Sequence, residues 1–296
     1  MDTVPVIFVE SVCRHLLDHR SLHASRDLPS MWGEICTAIT NKIHTLLVHL
    51  DGSSEKIYAA AQPMLLYDDY SYAVSLDSVD PKFITNFRIE AFDGFRSWKE
   101  ITVDDLKKLV HFIRPVRNER HPLQYGSESL NTLRLDNRSR WISGQLLSMR
   151  LPVDMVDLRR VEGADLFEPA GPLYYVNYEG PAVKESTLDA FVEKFVPIDN
   201  GYFNVRLMLS EEHMKKLFEK CAVGNKTVQI WLIPEDSTKI LDLTDPIDYD
   251  KYYSDREILR PWEIVRFGNK EKEKLTLQVY RSYGESIGWM WFKPSS

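Results

Sequence analysis

The chain has 296 residues, of which 44% are hydrophobic, so it can bury a large core without help from disulfides. Its net charge of -7, with no dense block of lysine and arginine, argues against nucleic acid as a partner, because phosphates require a basic face. No apolar run is long enough to span a bilayer, and Asp2 and Glu10 stand where a signal peptide would be basic. We therefore expect an intracellular chain, cytoplasmic or nuclear, without a membrane partner.

The cysteines support the same compartment. Cys13, Cys36 and Cys221 are too few and too far apart for a disulfide framework or a Cys-x-x-Cys metal site. Such usage is typical of a reducing environment. Cys13 and Cys221 have apolar neighbours and are predicted to be ordinary core residues.

The first predicted element is helical. Pro5 stands where a proline can start a helix, and Phe8, Val12 and Leu16 follow with the i, i+4, i+8 spacing of one helix face. Apolar residues recur with helical spacing again from Trp32 onward. The pattern predicts a helical hairpin over residues 1–40, which is too small to hold a core alone.

A β-hairpin is predicted in the next segment, residues 41–70. The apolar run at residues 43–50 and the run at residues 56–61 read as strands, and Asp51-Gly52 lies in the turn region between them. Asp-Gly is a strong signal for a tight hairpin turn.

Strands and helices alternate over residues 71–233. Runs rich in β-branched and aromatic residues occur at 87–92, 133–135, 173–178, 203–209 and 228–233. Amphipathic helices separate several of them, which predicts parallel pairing through helical crossovers.

Three of these helices have clear start signals at Thr102, Ser186 and Ser210, the first two with an acidic residue three positions on. An apolar stripe follows each cap, and Pro197 ends the second helix. The stripes comprise Leu106, Leu109, Val110 and Ile113; Leu188, Phe191, Val192 and Phe195; and Met214, Leu217, Phe218 and Cys221.

The spacing between successive predicted strands is irregular, so the segment is no consensus solenoid. We interpret it as a degenerate strand-helix array resembling a leucine-rich-repeat arc, with a compact α/β sheet as the competing architecture. The predicted fold class is therefore α/β or α+β.

The last predicted element is an antiparallel β-meander over residues 262–296. Its strands are predicted at 262–267, 275–280 and 289–292. The preceding residues 234–261 are predicted to be a loop rich in aspartate, but they lack the central glycine of an EF-hand, so calcium binding is not expected.

No motif for a nucleophile elbow, dinucleotide site, P-loop or zincin occurs in the chain. His15, His19 and His23 have the spacing of zinc ligands on a helix, but no cysteine or carboxylate completes a site at an obvious spacing. We predict no catalytic residue, no cofactor and no metal.

The opening stretch resembles an F-box. The matching positions in this chain are Val4, Pro5, Phe8, Val9, Val12, Leu16 and Trp32. Ile7 stands where the family usually has an acidic residue.

The resemblance implies a divergent F-box protein with an F-box-associated α/β domain, of the type expanded in nematodes. In such a protein residues 1–40 would dock on a Skp-family adaptor of a cullin ubiquitin ligase, and the seven matching residues would form the contact. Residues 41–296 would capture a protein substrate. No catalytic residue is implied, since the transfer chemistry belongs to other subunits.

Two other functions are compatible with the sequence. The chain could be an interaction scaffold whose N-terminal helices cap its α/β core, in which case Phe8 and Val12 should be buried against residues beyond position 40. It could instead be an enzyme with a dispersed site, which would require a deep pocket lined by titratable groups.

Overall fold

The computed structural model describes residues 4–15, 19–29, 31–66, 70–92, 98–113, 121–122, 125–126, 130–235, 247–261, 263–269, 274–281 and 286–294. Seven α-helices and thirteen β-strands lie within these residues, which confirms the mixed α/β class. None of the helices in this described part combines the length and the apolar character that crossing a bilayer requires.

The chain divides into two compact units. The first comprises residues 1–122 with residues 126–153, and the second comprises residues 123–125 with residues 154–296. Residues 1–40 thus belong to the same unit as the segment that follows them.

Three helices open the first unit: α1 (Val6–His15), α2 (His19–Arg26) and α3 (Met31–Thr40). The carbonyl of Pro5 accepts hydrogen bonds from the backbone N–H groups of Phe8 and Val9, at 3.0 and 3.4 Å, so the first helix begins where predicted. The predicted two-helix hairpin is wrong. Helix α2 was missed because its sequence has no periodic apolar signal. Among its described side chains, Leu22 is the one that is buried in the core.

The predicted β-hairpin is present in the first unit. Strands β1 (His44–Asp51) and β2 (Lys56–Pro63) pair antiparallel, with Leu47 opposite Ala60. Strand β3 (Ile84–Ala91) lies parallel to β1.

Two shorter strands complete this sheet. Strand β4 (Lys99–Ile101) pairs antiparallel with β2, and β5 (Thr132–Leu135) pairs parallel with β3. The strand order in the first unit is therefore β5-β3-β1-β2-β4. Strand β4 was not predicted, because three residues are too short for an alternating pattern.

Two helices connect these strands to later ones: α4 (Val103–Phe112) and α5 (Arg140–Ser148). Thr102 and Asp105 form the predicted capping box at the start of α4, each side chain accepting the other's backbone N–H. Leu106, Val110 and Ile113 are buried as predicted, whereas Leu109 is half-buried. Helix α5 was missed because Ser143 and Gly144 interrupt its short apolar stripe of Ile142, Leu146 and Leu147. Ser139 stands at the N-cap, but its side chain makes no capping hydrogen bond.

Four parallel strands follow one another in chain order in the second unit: β6 (Met155–Arg159), β7 (Tyr175–Glu179), β8 (Gly201–Leu209) and β9 (Val228–Pro234). The parallel pairing expected of a strand-helix alternation is confirmed. Strand β6 was missed because its first four residues are all buried and its sequence does not alternate.

Helices α6 (Glu185–Lys194) and α7 (Glu211–Gly224) pack on one face of these strands. Ser210 caps α7 as predicted by accepting the N–H of His213. The predicted cap of α6 at Ser186 is wrong, since the N-cap residue is Lys184, two residues earlier. The N–H of Lys184 donates to the carboxylate of Asp165, and this tertiary contact fixes the start.

An antiparallel β-meander ends the second unit: β10 (Asp255–Arg260), β11 (Ile264–Gly268), β12 (Thr276–Arg281) and β13 (Ile287–Phe292). The last three strands were predicted, although residue 262 lies outside the described residues. Strand β13 pairs antiparallel with β9, so the order is β6-β7-β8-β9-β13-β12-β11-β10.

The loop prediction for residues 234–261 is wrong at β10. This strand lies at the edge of the sheet and most of its side chains are exposed, so its sequence lacks alternating apolar residues. Pairing with β11 rather than local propensity defines it. Residues 236–246, the centre of the predicted loop, lie outside the described residues.

Candidate functional site

The inner side of the three N-terminal helices is packed. We call the following buried side chains the N-terminal core: Val9, Cys13, Leu22, Cys36, Ile39, Ile43 and Met64. The last two are the residue just before β1 and the residue just after β2, so the helices are anchored on the hairpin. The Sγ atoms of Cys13 and Cys36 lie 3.2 Å apart, and both cysteines are free.

The residues predicted to contact an adaptor divide between this core and the surface. Val9 is 1% exposed and belongs to the N-terminal core, so it is withdrawn from the contact set, because its side chain already packs within the chain. Val4 and Trp32 pack partly buried against the core, and Val12 is half-buried. Pro5 is exposed.

The outer side of the same helices is apolar and exposed. Phe8 is 53% exposed, and its neighbour Ile7 is 72% exposed. We define the outer surface as the exposed side chains of Val6, Ile7, Phe8, Leu28 and Met31. Apart from Phe8 the sequence prediction missed these residues, although the start of α1 has apolar residues on both sides of the helix.

Close packing at the start of α3 holds part of this surface in place. The rings of Phe8 and Trp32 meet edge to face with centroids 6.4 Å apart. A Cβ atom at Gly33 would lie 2.2 Å from the carbonyl oxygen of Leu28, so only glycine permits this approach. The backbone at Leu28 is therefore held close to the first turn of α3.

Two of the earlier predictions fall on residues whose side chains are not described. Leu16 lies outside the described residues, and so do the side chains of His15 and His19. Within the part of the chain that is described, no group of three or more His, Cys, Asp or Glu side chains could hold a metal ion.

A second cluster lies on the sheet of the first unit around the imidazole of His49. Phe92 and Trp98 pack against the ring at centroid distances of 4.8 and 4.1 Å. The Nε2 atom of His49 lies 3.8 Å from Oε1 of Glu90, which also accepts a hydrogen bond of 2.7 Å from the hydroxyl of Tyr70. Arg134 Nη1 lies 3.2 Å from Oε2 of the same carboxylate.

The sequence prediction missed this cluster, because the three strands that supply it are far apart in the chain. Both ring nitrogens of His49 are shielded from solvent, so the imidazole is not presented to a dissolved substrate. Burial, and then the charge of Glu90, raise the pKa of Tyr70. The cluster therefore ties β1, β3 and β5 together through one shared carboxylate.

Comparison with known proteins finds no match: no protein-family model matches the chain, and neither a curated protein nor a solved structure matches it significantly. The outer surface is the feature that stands out geometrically. It is a group of exposed apolar side chains at the start of α1, in the turn after α2 and at the start of α3, and other side chains of these helices are already packed in the N-terminal core.

Proposed function

We propose that the chain is a substrate-recognition adaptor, which docks on a Skp-family subunit of a cullin ubiquitin ligase and presents a protein substrate. The observation that carries the proposal is the exposure of Ile7 and Phe8 at the start of α1, within the stretch that resembles an F-box. Exposed apolar groups of this kind gain free energy by packing against another protein.

The magnitude is sufficient for specific docking. Full burial of one such side chain contributes about 1.5 to 3 kcal/mol, and a few central residues commonly supply most of the binding free energy of an interface. Ile7, Phe8 and Met31 would be these central residues. Pro5 and Trp32 would border the contact.

In this proposal residues 1–40 form the docking module and residues 41–296 the substrate-binding region. A leucine-rich-repeat-like array is supported by strands β6 to β9, which run parallel in chain order with α6 and α7 on one face. The repeat is irregular. Asp157, Asn177 and Asn204 lie opposite one another on successive strands, separated by 20 and then 27 residues.

The proposal requires no catalytic residue in this chain, because ubiquitin transfer would be carried out by other subunits of the ligase. It places the protein inside the cell, where such ligases act.

The alternative function, an interaction scaffold whose N-terminal helices only cap the α/β core, also has a supporting observation. Ile43 and Met64 lie beyond position 40 and pack with Val9 and Cys13 in the N-terminal core. A capping role accounts for the burial of the N-terminal core residues on the inner side of the helices. It gives no reason for the exposure of Phe8 on the outer side.

The test is a pull-down of purified Skp-family adaptor by the full chain and its variants. Phe8→Asp and Ile7→Asp should each abolish capture, because a carboxylate in an apolar contact must lose its hydration or hold the surfaces apart. The matched control is Ile258→Asp, which places the same charge at an aliphatic residue of β10 that is 59% exposed. This control should bind like the parent.

Circular dichroism and melting temperature separate docking from folding. Both should stay near the parent values in Phe8→Asp and Ile7→Asp, since neither side chain belongs to the N-terminal core. Val9→Asp should instead unfold the module. Full adaptor capture by Phe8→Asp and Ile7→Asp would refute the proposed docking, and loss of folding in both variants would favour the capping function.

A further inference from the structure

One face of the parallel strands in the second unit carries a row of hydrogen-bonded polar side chains, which we call the polar row. Asp157 on β6, Asn177 on β7 and Asn204 on β8 lie directly opposite one another. Asn177 Nδ2 donates to Asp157 Oδ1, and Asn204 Nδ2 donates to Asn177 Oδ1, each at 2.8 Å. The row is continuous across three strands.

The two ends of the polar row differ. At the β6 end, Arg159 donates two hydrogen bonds to the carboxylate of Asp157, at 2.9 and 3.1 Å. At the β8 end, Asn204 gives one N–H to its neighbour, and its Oδ1 accepts no hydrogen bond from any residue in the described ranges. Asn204 thus presents one donor and one acceptor, which is the complement of a peptide amide.

Tyrosine rings lie next to the polar row. The rings of Tyr125 and Tyr175 stack at 5.3 Å, and those of Tyr175 and Tyr202 stack at 4.9 Å. Tyr175 and Tyr202 are each two residues before an asparagine of the row, and the three tyrosines are half-buried. The stacked rings form a rigid, partly exposed aromatic surface across β7 and β8.

Trp231 extends the row on β9, opposite Asn204. Its ring lies across Gly288 of β13, where a Cβ atom would come within 2.5 Å of the ring. Only glycine allows this position of the indole. The ring centroid of Tyr280 on β12 lies 5.8 Å from that of Trp231, so the indole lies over β13 and is half-buried.

The charged side chains of strands β6 to β9 pair with one another. Arg159 pairs with Asp157, and Arg206 Nη2 lies 3.3 Å from Oε1 of Glu179. Strands β6 to β9 contain no other charged residue. Electrostatic complementarity therefore favours a partner segment without net charge.

The face also has a depression large enough for peptide side chains. A cavity of about 400 Å³ opens beside Asn204, lined among others by Tyr202, Arg206, Trp231, Ile233 and Ser286. Volumes of this order hold small ligands or a few side chains.

We propose that this face binds an extended, uncharged segment of a partner polypeptide. One backbone amide of the segment pairs with the carboxamide of Asn204, and an aromatic or aliphatic side chain packs against Trp231. As an account of substrate capture this inference rests on the proposed adaptor function, but the binding itself requires no adaptor.

The experiment uses the purified full chain and a phage-displayed library of random linear peptides. Selected peptides should lack net charge and carry an aromatic or aliphatic residue, and their affinity is then measured by fluorescence polarisation. Asn204→Leu and Trp231→Ala should each weaken binding roughly tenfold, since a tenfold change corresponds to about 1.4 kcal/mol, which is the order of the net contribution of one hydrogen bond or aromatic contact. Tyr72→Ala, which removes an exposed tyrosine from the first unit, is the matched control and should change nothing.

A second measurement avoids mutation altogether. Titration of the unmodified chain with a selected peptide should shift the side-chain amide resonances of Asn204 and the indole N–H of Trp231. This readout decides the matter if Asn204→Leu fails to fold.

Several results would overturn the inference. The inference fails if no peptide is enriched from the library, or if the selected peptides are mostly charged. It also fails if the selected peptides bind Asn204→Leu and Trp231→Ala as tightly as the parent chain. A dimer that Trp231→Ala dissociates would make a second copy of the chain the occupant instead. Phe8→Asp should keep full peptide binding, so a failure of adaptor docking and a failure of peptide binding are separate results.

Discussion

Phe218 on α7 sits at the centre of an aromatic cluster in the second unit, and its truncation to alanine should strongly destabilise that unit. The side chain is 1% exposed. Its ring centroid lies 5.3 and 5.4 Å from those of Tyr249 and Tyr252, and 5.2 and 5.7 Å from those of Trp289 and Trp291.

The size of the effect follows from how little the surrounding rings can move. Trp289 Nε1 donates to the hydroxyl of Tyr249 at 3.0 Å, and Trp291 Nε1 donates to the hydroxyl of Tyr253 at 2.8 Å. These hydrogen bonds hold the rings apart, so the cavity left by Phe218→Ala cannot collapse. Truncation of buried phenylalanine costs about 3 to 5 kcal/mol, and we expect the upper half of that range.

Urea unfolding of the full chain, followed by tryptophan fluorescence and circular dichroism, measures the loss. The control is Val223→Ala on the same helix, a side chain that is 77% exposed and should change the free energy of unfolding by less than about 0.5 kcal/mol. If Phe218→Ala unfolds at the same urea concentration as the control, the aromatic cluster is not packed as described.

Three further predictions concern single groups. Thr102→Ala removes half of the capping box of α4 and should lower the stability of the first unit by about 1 kcal/mol, whereas Thr102→Ser should keep most of it in a thermal melt. Hydrogen bonds from the hydroxyls of Ser53 and Ser54 lower the pKa of Asp51 to about 2. The stability contributed by this carboxylate is therefore complete above about pH 4 and is lost as the pH falls toward 2. A carboxyl titration by NMR that finds an ordinary pKa for Asp51 would contradict this prediction. Burial raises the pKa of the Cys13 thiol to about 12 and also raises that of Cys221, so the native chain should resist a thiol reagent near pH 8 and react fully only when unfolded.

Apart from the cap at Ser186, signals that act within a few residues were read correctly from the sequence. The capping groups at Thr102 and Ser210 lie within one helical turn of the N–H groups they accept, and Gly52 directly follows the last residue of β1, Asp51, at the turn of the hairpin. Such contacts form in almost any tertiary setting, so residue type and spacing are enough to predict them. The helical start at Pro5 has the same origin.

Elements defined by distant partners were missed. Strand β10 has mostly exposed side chains and exists through its pairing with β11, and β6 is five residues long and almost wholly buried. Helix α6 starts at a residue fixed by the carboxylate of Asp165, which is 19 residues away from Lys184. None of these partners can be inferred from spacing along the chain.

The outer surface and the polar row likewise combine local patterns that the sequence shows with contacts that only the tertiary structure decides. The apolar pattern of α1 predicts a helix, but the packing of Ile43 and Met64 decides that Val9 is buried while Phe8 is exposed. The polar row joins residues separated by 20 and 27 positions, so it exists only once the register of β6, β7 and β8 is set. A shift of one residue in any of these strands would turn its asparagine or aspartate to the opposite face, because side chains alternate along a strand.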